Sequence, residues 1–269
     1  MIALFTRPSE LFKPAQMFKP AQSVVERNIL SYRRMWIIIA SGFFDPIFYL
    51  FGLGIGLGAL IGDVEYGGQM VSYATFVAPG LVASSAMNGA IFDSTFNFYY
   101  KLKYAKTFDA MLATPLRLSD IVVGEIAWSM VRGAVYAVAF LLVTLAFGFV
   151  QSWWAVLVIP VALLTGVAFA ALGSAITTFM RSWHDFDYVQ LVLQPLFLAS
   201  TTFYALDVYP AWSHWLVRAT PLYHAVTLCR SLMLGNVSWG DLGHVAYLVT
   251  MLLVGAYVVK RRLARLLLS

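Results

Sequence analysis

Apolar residues follow one another with few interruptions over six stretches of the chain, 35–61, 71–99, 121–149, 153–180, 186–206 and 243–259. Each reads as a helix built to cross the roughly 30 Å of hydrocarbon in a bilayer, a task that takes about 20 residues. A transmembrane barrel is excluded, because its strands alternate apolar and polar side chains. The pattern predicts an all-α polytopic membrane protein with six transmembrane helices. Pro46, Pro79, Pro160 and Pro195 fall within the runs and predict local breaks or kinks. The stretch 207–242 is less apolar and is interrupted by Pro210, Pro221 and Gly235, so it predicts short re-entrant or surface helices before the last span.

The chain therefore divides into a polar segment, 1–34, and a transmembrane domain, 35–269. The first apolar run starts too late and is too long for a secretory leader, so the chain is expected to stay in the membrane uncut. LFKPAQ (11–16) is nearly repeated by MFKPAQ (17–22), and the prolines of this duplication predict that no continuous helix runs through it. After it, Val25, Ile29, Tyr32 and Trp36 recur at helical spacing, the mark of a helix lying on the membrane surface. A second soluble piece, 99–116, predicts a short helix stopped by Pro115, with Tyr104, Phe108, Met111 and Leu112 on one face. That face reads either as an interfacial surface resting on lipid or as a knob for a groove on a partner, with Asp109 at its edge.

Composition strengthens the membrane reading. Of 269 residues 61% are apolar and 12% charged, against about 25% charged in an ordinary soluble domain. The net charge of +5 loses its nucleic-acid meaning once the bases are placed. Fifteen of the 18 Lys and Arg fall in the N-terminal segment, the loops after spans two and four, and the C-terminus; only Arg218 and Arg230 fall on the opposite side. Both termini are therefore expected in the cytoplasm, in a multi-pass protein of the cell's inner (plasma) membrane. Most of the eight Trp sit near predicted span ends, which agrees with this layout.

Candidate chemistry is sparse. No Lys follows a Gly, so a GxxxxGK[ST] phosphate loop is absent and any ATP use falls to another chain. Gly52, Gly54, Gly56, Gly58 and Gly62 space small residues along span one and read as a helix-packing surface. Asp45 before Pro46 reads as a helix cap. Asp93, Glu125 and Arg132 lie at membrane depth, where ionisable groups are costly and have partners; the spacing predicts a three-member cluster, either neutralising and structural or a relay for protons or substrate. His184, Asp185 and Asp187 read as a turn and helix cap, not a metal site. His214, His224 and His244 are scattered without ligand spacing, and Cys229 has no base fixed beside it.

Four segments, DPIFYLFGLGIGLGALIG (45–62), FVAPGLVASSAMNGAIFDS (76–94), TFDAMLATPLRLSDIVVGEIAW (107–128) and PLYHAVTLCRSLMLG (221–235), resemble ABC-2-type exporter permeases. Within that class the chain is similar to NodJ-type permeases of lipo-oligosaccharide (nodulation-factor) exporters, along nearly all of its length after the N-terminal segment. The resemblance implies six spans, a surface helix before the first, re-entrant outer helices, and a coupling helix around Thr107 to Pro115 that docks on a separate ATPase. It implies two ATPase subunits carrying the ATP and Mg, and a second permease copy in a homodimer or heterodimer. No cofactor and no nucleic acid is expected on this chain. The expected activity is that of a non-enzymatic transport subunit exporting an amphipathic lipid-linked glycan, glycolipid or drug across the bilayer. An ion-coupled secondary transporter using Asp93, Glu125 and Arg132 is the alternative, against which the two halves show no inverted repeat.

Overall fold

The computed structural model describes residues 14–32 and 47–267. The first half of predicted span one, with Asp45 and Pro46, lies outside the described residues, as do Trp36 and the start of the duplicated segment.

Helix α1 runs Pro14–Tyr32, which corrects the expectation that the duplicated prolines break it. Pro20 removes one interior hydrogen bond while the helix continues through it. Besides the apolar stripe expected on the membrane surface, α1 has a second face, which packs on the bundle. Ala21, Val24 and Asn28 are buried, whereas Ile29 is 49% exposed. The cause is a glycine in a later helix: a Cβ on Gly124 would lie 2.6 Å from Val24 Cβ, so the absence of one draws this face of α1 inward.

Helix α2 (Ile47–Ile61) is π-helical over Leu50–Leu57. Gly54 and Gly58 face Ala74 and Tyr73 of the next helix, Gly52 and Gly56 have no such neighbour, and Gly62 ends α2 at φ 78°. A hairpin the apolar pattern did not predict follows. Strands β1 (Asp63–Tyr66) and β2 (Gln69–Ser72) pair antiparallel with Tyr66 opposite Gln69. The two-residue turn between them, Gly67 and Gly68, has φ of 61° and 77°, the geometry that matches strand twist and that glycine adopts freely. The strictly all-α expectation is corrected to that extent.

Helix α3 (Tyr73–Lys103) starts where the Ser72 hydroxyl accepts from the Thr75 N–H. It is the central helix, packed against α5, α6, α9 and α2. Pro79 lies within it without ending it, and the irregular turn is the π-helical segment Asp93–Asn97. Helix α4 (Thr107–Leu112) links α3 to α5 (Leu118–Ala146). Then come α6 (Trp153–Thr177), α7 (Asp185–Ala199), α8 (His214–Ala219), α9 (Pro221–Leu234) and α10 (Asp241–Leu267).

Among the described residues, four helices, α3, α5, α6 and α10, are long and apolar enough to cross a membrane. The predicted fifth span, 186–206, is helical only to Ala199. The chain turns at Thr201, whose φ is 58°, because the Thr201 and Thr202 carbonyls are taken by Arg230 instead of a next helical turn. The stretch 207–242 does form short helices, of which α9 is buried along most of its length against α3.

Glycines allow a close approach between α3 and α5. A Cβ on Gly89 would lie 2.8 Å from Tyr136 and 2.9 Å from Gly133 Cα, and one on Gly133 would lie 2.5 Å from the Ala86 carbonyl oxygen. Gly89→Ala and Gly133→Ala are expected to destabilise the fold by about 1–3 kcal/mol each through overpacking, while Gly52→Ala, with nothing within 4 Å, leaves stability unchanged; melting curves of the detergent-solubilised protein followed by size-exclusion check this.

Candidate functional site

The charges at depth assemble on the seam between α3 and α5. Asp93 opens the π-helical turn of α3, and one carboxylate oxygen receives Arg132 Nη1 at 3.4 Å and Asn97 Nδ2 at 2.6 Å. The other receives the Ser129 hydroxyl at 3.0 Å. Arg132 also donates from Nε and Nη2 to the Tyr136 hydroxyl and lies 4.7 Å from the Phe92 ring centroid. Asp93 and Arg132 are 1% and 4% exposed. A buried carboxylate in this setting needs each of these donors, since an unpaired charge at depth is strongly unfavourable.

Glu125 belongs to a different set of hydrogen bonds, so the predicted three-member cluster is corrected to two pairs. Lys101 Nζ donates to Glu125 Oε2 at 2.6 Å and to Asn28 Oδ1 at 3.0 Å, and Asn28 Nδ2 donates to Glu125 Oε1 at 3.2 Å. Each of the three residues bonds to the other two, and they come from α1, α3 and α5. Lys101 and Asn28 were missed: the sequence placed Lys101 among the loop bases and gave Asn28 no role. The signal was a matched spacing. Consecutive spans joined by a short connection run antiparallel, and the step of eight from Asp93 to Lys101 answers the step of seven from Arg132 back to Glu125.

This triangle stands beside α4. Lys106 precedes that helix in the left-handed region at φ 46°, and the turn sends α4 back under the ends of α3 and α5. Phe108 is fully buried, 5.0 Å from the Phe98 ring, and Met111 is buried with it. The apolar knob predicted from Tyr104, Phe108, Met111 and Leu112 is thereby corrected. Phe108 and Met111 anchor α4 to the body of this chain, Leu112 is half-buried, and Tyr104 is 55% exposed beside Trp183. The outward surface consists of Tyr104, Asp109, Ala110, Ala113, Thr114 and Pro115. Between α1 and α4 lies a cavity of about 370 Å³, lined by Ser23, Val24, Arg27, Ala105, Ala110, Met111 and neighbours.

On the far side of the bundle, Arg230 of α9 is 2% exposed. Its Nε donates to the Phe76 carbonyl at 3.1 Å and its Nη2 to the Thr201 carbonyl at 2.7 Å, with the Phe76 ring 4.0 Å beneath. The sequence counted it only as a surface base. Asp185 accepts from the backbone N–H groups of Arg181 and Ser182 at 2.6 and 3.1 Å, which hold its carboxyl below the usual range. Cys229 is buried, and burial pushes its thiol up to about 12. Among the described residues no three His, Cys, Asp or Glu side chains converge as metal ligands.

A helical bundle with apolar spans, charges neutralised at depth and a small helix pinned beneath two of those spans defines an integral membrane protein. The chain belongs to the ABC-2 type transporter family, whose model matches residues 21–234. It is 36% identical to "Nodulation protein J" of Rhizobium leguminosarum bv. trifolii over 90% of this chain and 94% of that protein. It is 34% identical to "Nodulation protein J" of Rhizobium leguminosarum bv. viciae over 90% of this chain and 95% of that protein. "Inner membrane transport permease YadH" of Escherichia coli (strain K12) is 25% identical over 79% of this chain and 82% of its own length. The chain is thus the membrane subunit of an ABC exporter, a transport component whose ATPase is a separate subunit.

Removing one member of a buried ion pair leaves the other charge uncompensated, at a cost of about 3–5 kcal/mol. Lys101→Met is therefore expected to lower the yield of folded protein sharply, and Lys101→Met with Glu125→Leu to recover part of it, with a coupling of about 0.5–3 kcal/mol. The same cycle on Asp93 and Arg132 gives the same sign, and strictly additive losses count against either pair.

Proposed function

We propose that this chain is the permease of an ATP-driven exporter of the inner membrane, that it crosses the bilayer six times with both termini in the cytoplasm, and that two copies, or this chain and a related permease, assemble with two ATPases. The cargo is an amphipathic molecule such as a lipid-linked glycan, glycolipid or drug, the class implied by the resemblance to lipo-oligosaccharide exporter permeases. The observation that carries the coupling role is the joint between α1, α3 and α5 at Asn28, Lys101 and Glu125. A push on α1 from a cytoplasmic ATPase reaches α3 and α5 directly through that joint, and a push on α4 reaches α3 through Phe108 against Phe98. Phe108 and Met111 make α4 a rigid extension of the bundle, so force is delivered without the helix first folding away. The closed hydrogen-bond sets around Asp93 and Glu125 favour a structural role for these charges over a proton relay.

The docking surface is then the outward side of α4 together with the cavity it shares with α1. Ala110→Trp fills that cavity and Asp109→Lys reverses its only acidic neighbour on α4; both sit on exposed positions, where stability changes stay within about 0.5 kcal/mol. Each is expected to reduce recovery of the ATPase with the purified permease at least about tenfold, equal to about 1.4 kcal/mol of binding. Phe108→Ala instead unfolds the α4 region, at a cost of about 3–5 kcal/mol. Unchanged ATPase recovery with both surface variants overturns this docking site.

Sidedness is checked with thiol labelling. Cys229 is buried, so Cys229→Ala supplies a silent background. A cysteine at Ser23 is expected to stay unlabelled by an impermeant reagent in intact cells and to react after permeabilisation, and one at Glu65 to react in both. The reverse pattern inverts the topology.

A further inference from the structure

Helices α9 and α10 meet at two histidines that the transport reading leaves unused. His224, in the first turn of α9, and His244, in the first turn of α10, bring their Nδ1 atoms to 2.6 Å, with ring centroids 4.9 Å apart. Two such nitrogens share one hydrogen, so at least one ring must be neutral. Tyr247 of α10 stacks on His224 at 3.8 Å and its hydroxyl donates to the Ala219 carbonyl at 2.7 Å, which ties the end of α8 into the same joint. The other titratable groups facing the pair are Tyr223 of α9, whose ring lies 5.4 and 5.7 Å from the two imidazoles, and Asp241, three residues before His244. Tyr66 of the hairpin is within electrostatic reach of Tyr223 and Asp241, and from α8 the Arg218 backbone carbonyl faces His224.

We propose that His224 and His244 form a proton-operated latch, which holds α9 against α10 while the pair carries at most one positive charge and releases when both rings are charged. Burial and the adjacent imidazole push His224 down to about 4. A group whose pKa is lowered by a contact charges first in the state that lacks the contact. The latch is therefore at full strength above about pH 6.5, the ordinary value for a free imidazole, and weakens as the pH falls from there toward 4. The rings sit on the side opposite α4, so by the sidedness proposed above the sensed compartment lies outside the cytoplasm; the latch itself does not depend on that reading.

The test is amide hydrogen exchange of the full chain in lipid nanodiscs from pH 7.5 to 4, corrected for the intrinsic pH dependence of exchange. α9 is expected to open at least about tenfold more readily at the acid end, with α6 as the internal reference. His244→Gln keeps a hydrogen-bonding partner beside His224 but removes the second charge, so its acid rise on α9 is expected to be clearly smaller than in wild type; His224→Gln gives the same comparison from the other ring. A flat wild-type profile, or the same acid rise in both variants as in wild type, overturns the latch. Acidifying one compartment of proteoliposomes with oriented protein separates the two readings: opening driven by protons from the cytoplasmic face overturns the sidedness and leaves the latch standing.

Discussion

A charge inside hydrocarbon has to be answered by another group of the protein, and in this chain that requirement fixes how α3 and α5 lie against each other. Gly89 and Gly133 allow the two backbones to close, and Asp93 with Arg132 and Lys101 with Glu125 then set the axial register at two levels. A slip by one turn would separate both pairs at once. The rest is arranged around this seam: α6 and α9 pack on α3, α10 on α6, and α1 is drawn onto α5 by Asn28 and by the space left at Gly124.

The helical character, the existence of the long spans and their order were legible because apolar runs of that length have few alternatives. What the pattern missed were features set by hydrogen bonding rather than by hydropathy. The hairpin turns on Gly67 and Gly68, a pair visible in the sequence but embedded between two long apolar runs. The early end of α7 depends on Arg230 reaching carbonyls near Thr201 from about 30 residues away along the chain, and no local pattern carries that information. The packing of α1 was missed for the same reason: Asn28 is polar and stood outside the apolar pattern, yet Lys101 and Glu125 together offer it one donor and one acceptor.

The small helix α4 shows a different failure. Its apolar residues were recognised, and their spacing was right, but an amphipathic pattern does not say which of two partners covers the apolar stripe. Here Phe98 and the ends of α3 and α5 cover it from above, so the surface left for another protein is made of small and polar residues such as Ala110, Asp109 and Thr114. The apolar side of such a helix measures how firmly it is held, and the opposite side carries specificity.

The π-helical turn at Asp93–Asn97 holds one residue more than an α-helical path between the same two points. Above it α3 serves Gly133 and α9; within it Phe96 receives Phe186 at 4.2 Å, and below it Tyr99 receives Phe186 at 5.3 Å and Lys101 reaches Glu125. Deleting a single residue there would let the helix regularise between the same two points, leaving Lys101 on the seam and Phe98 against Phe108, whereas the same deletion in a regular stretch of α3 would turn everything beyond it by about 100°. The turn thus absorbs a change of length that would elsewhere become a rotation, and a homologue lacking the extra residue could keep the same faces toward α1, α4, α5 and α7.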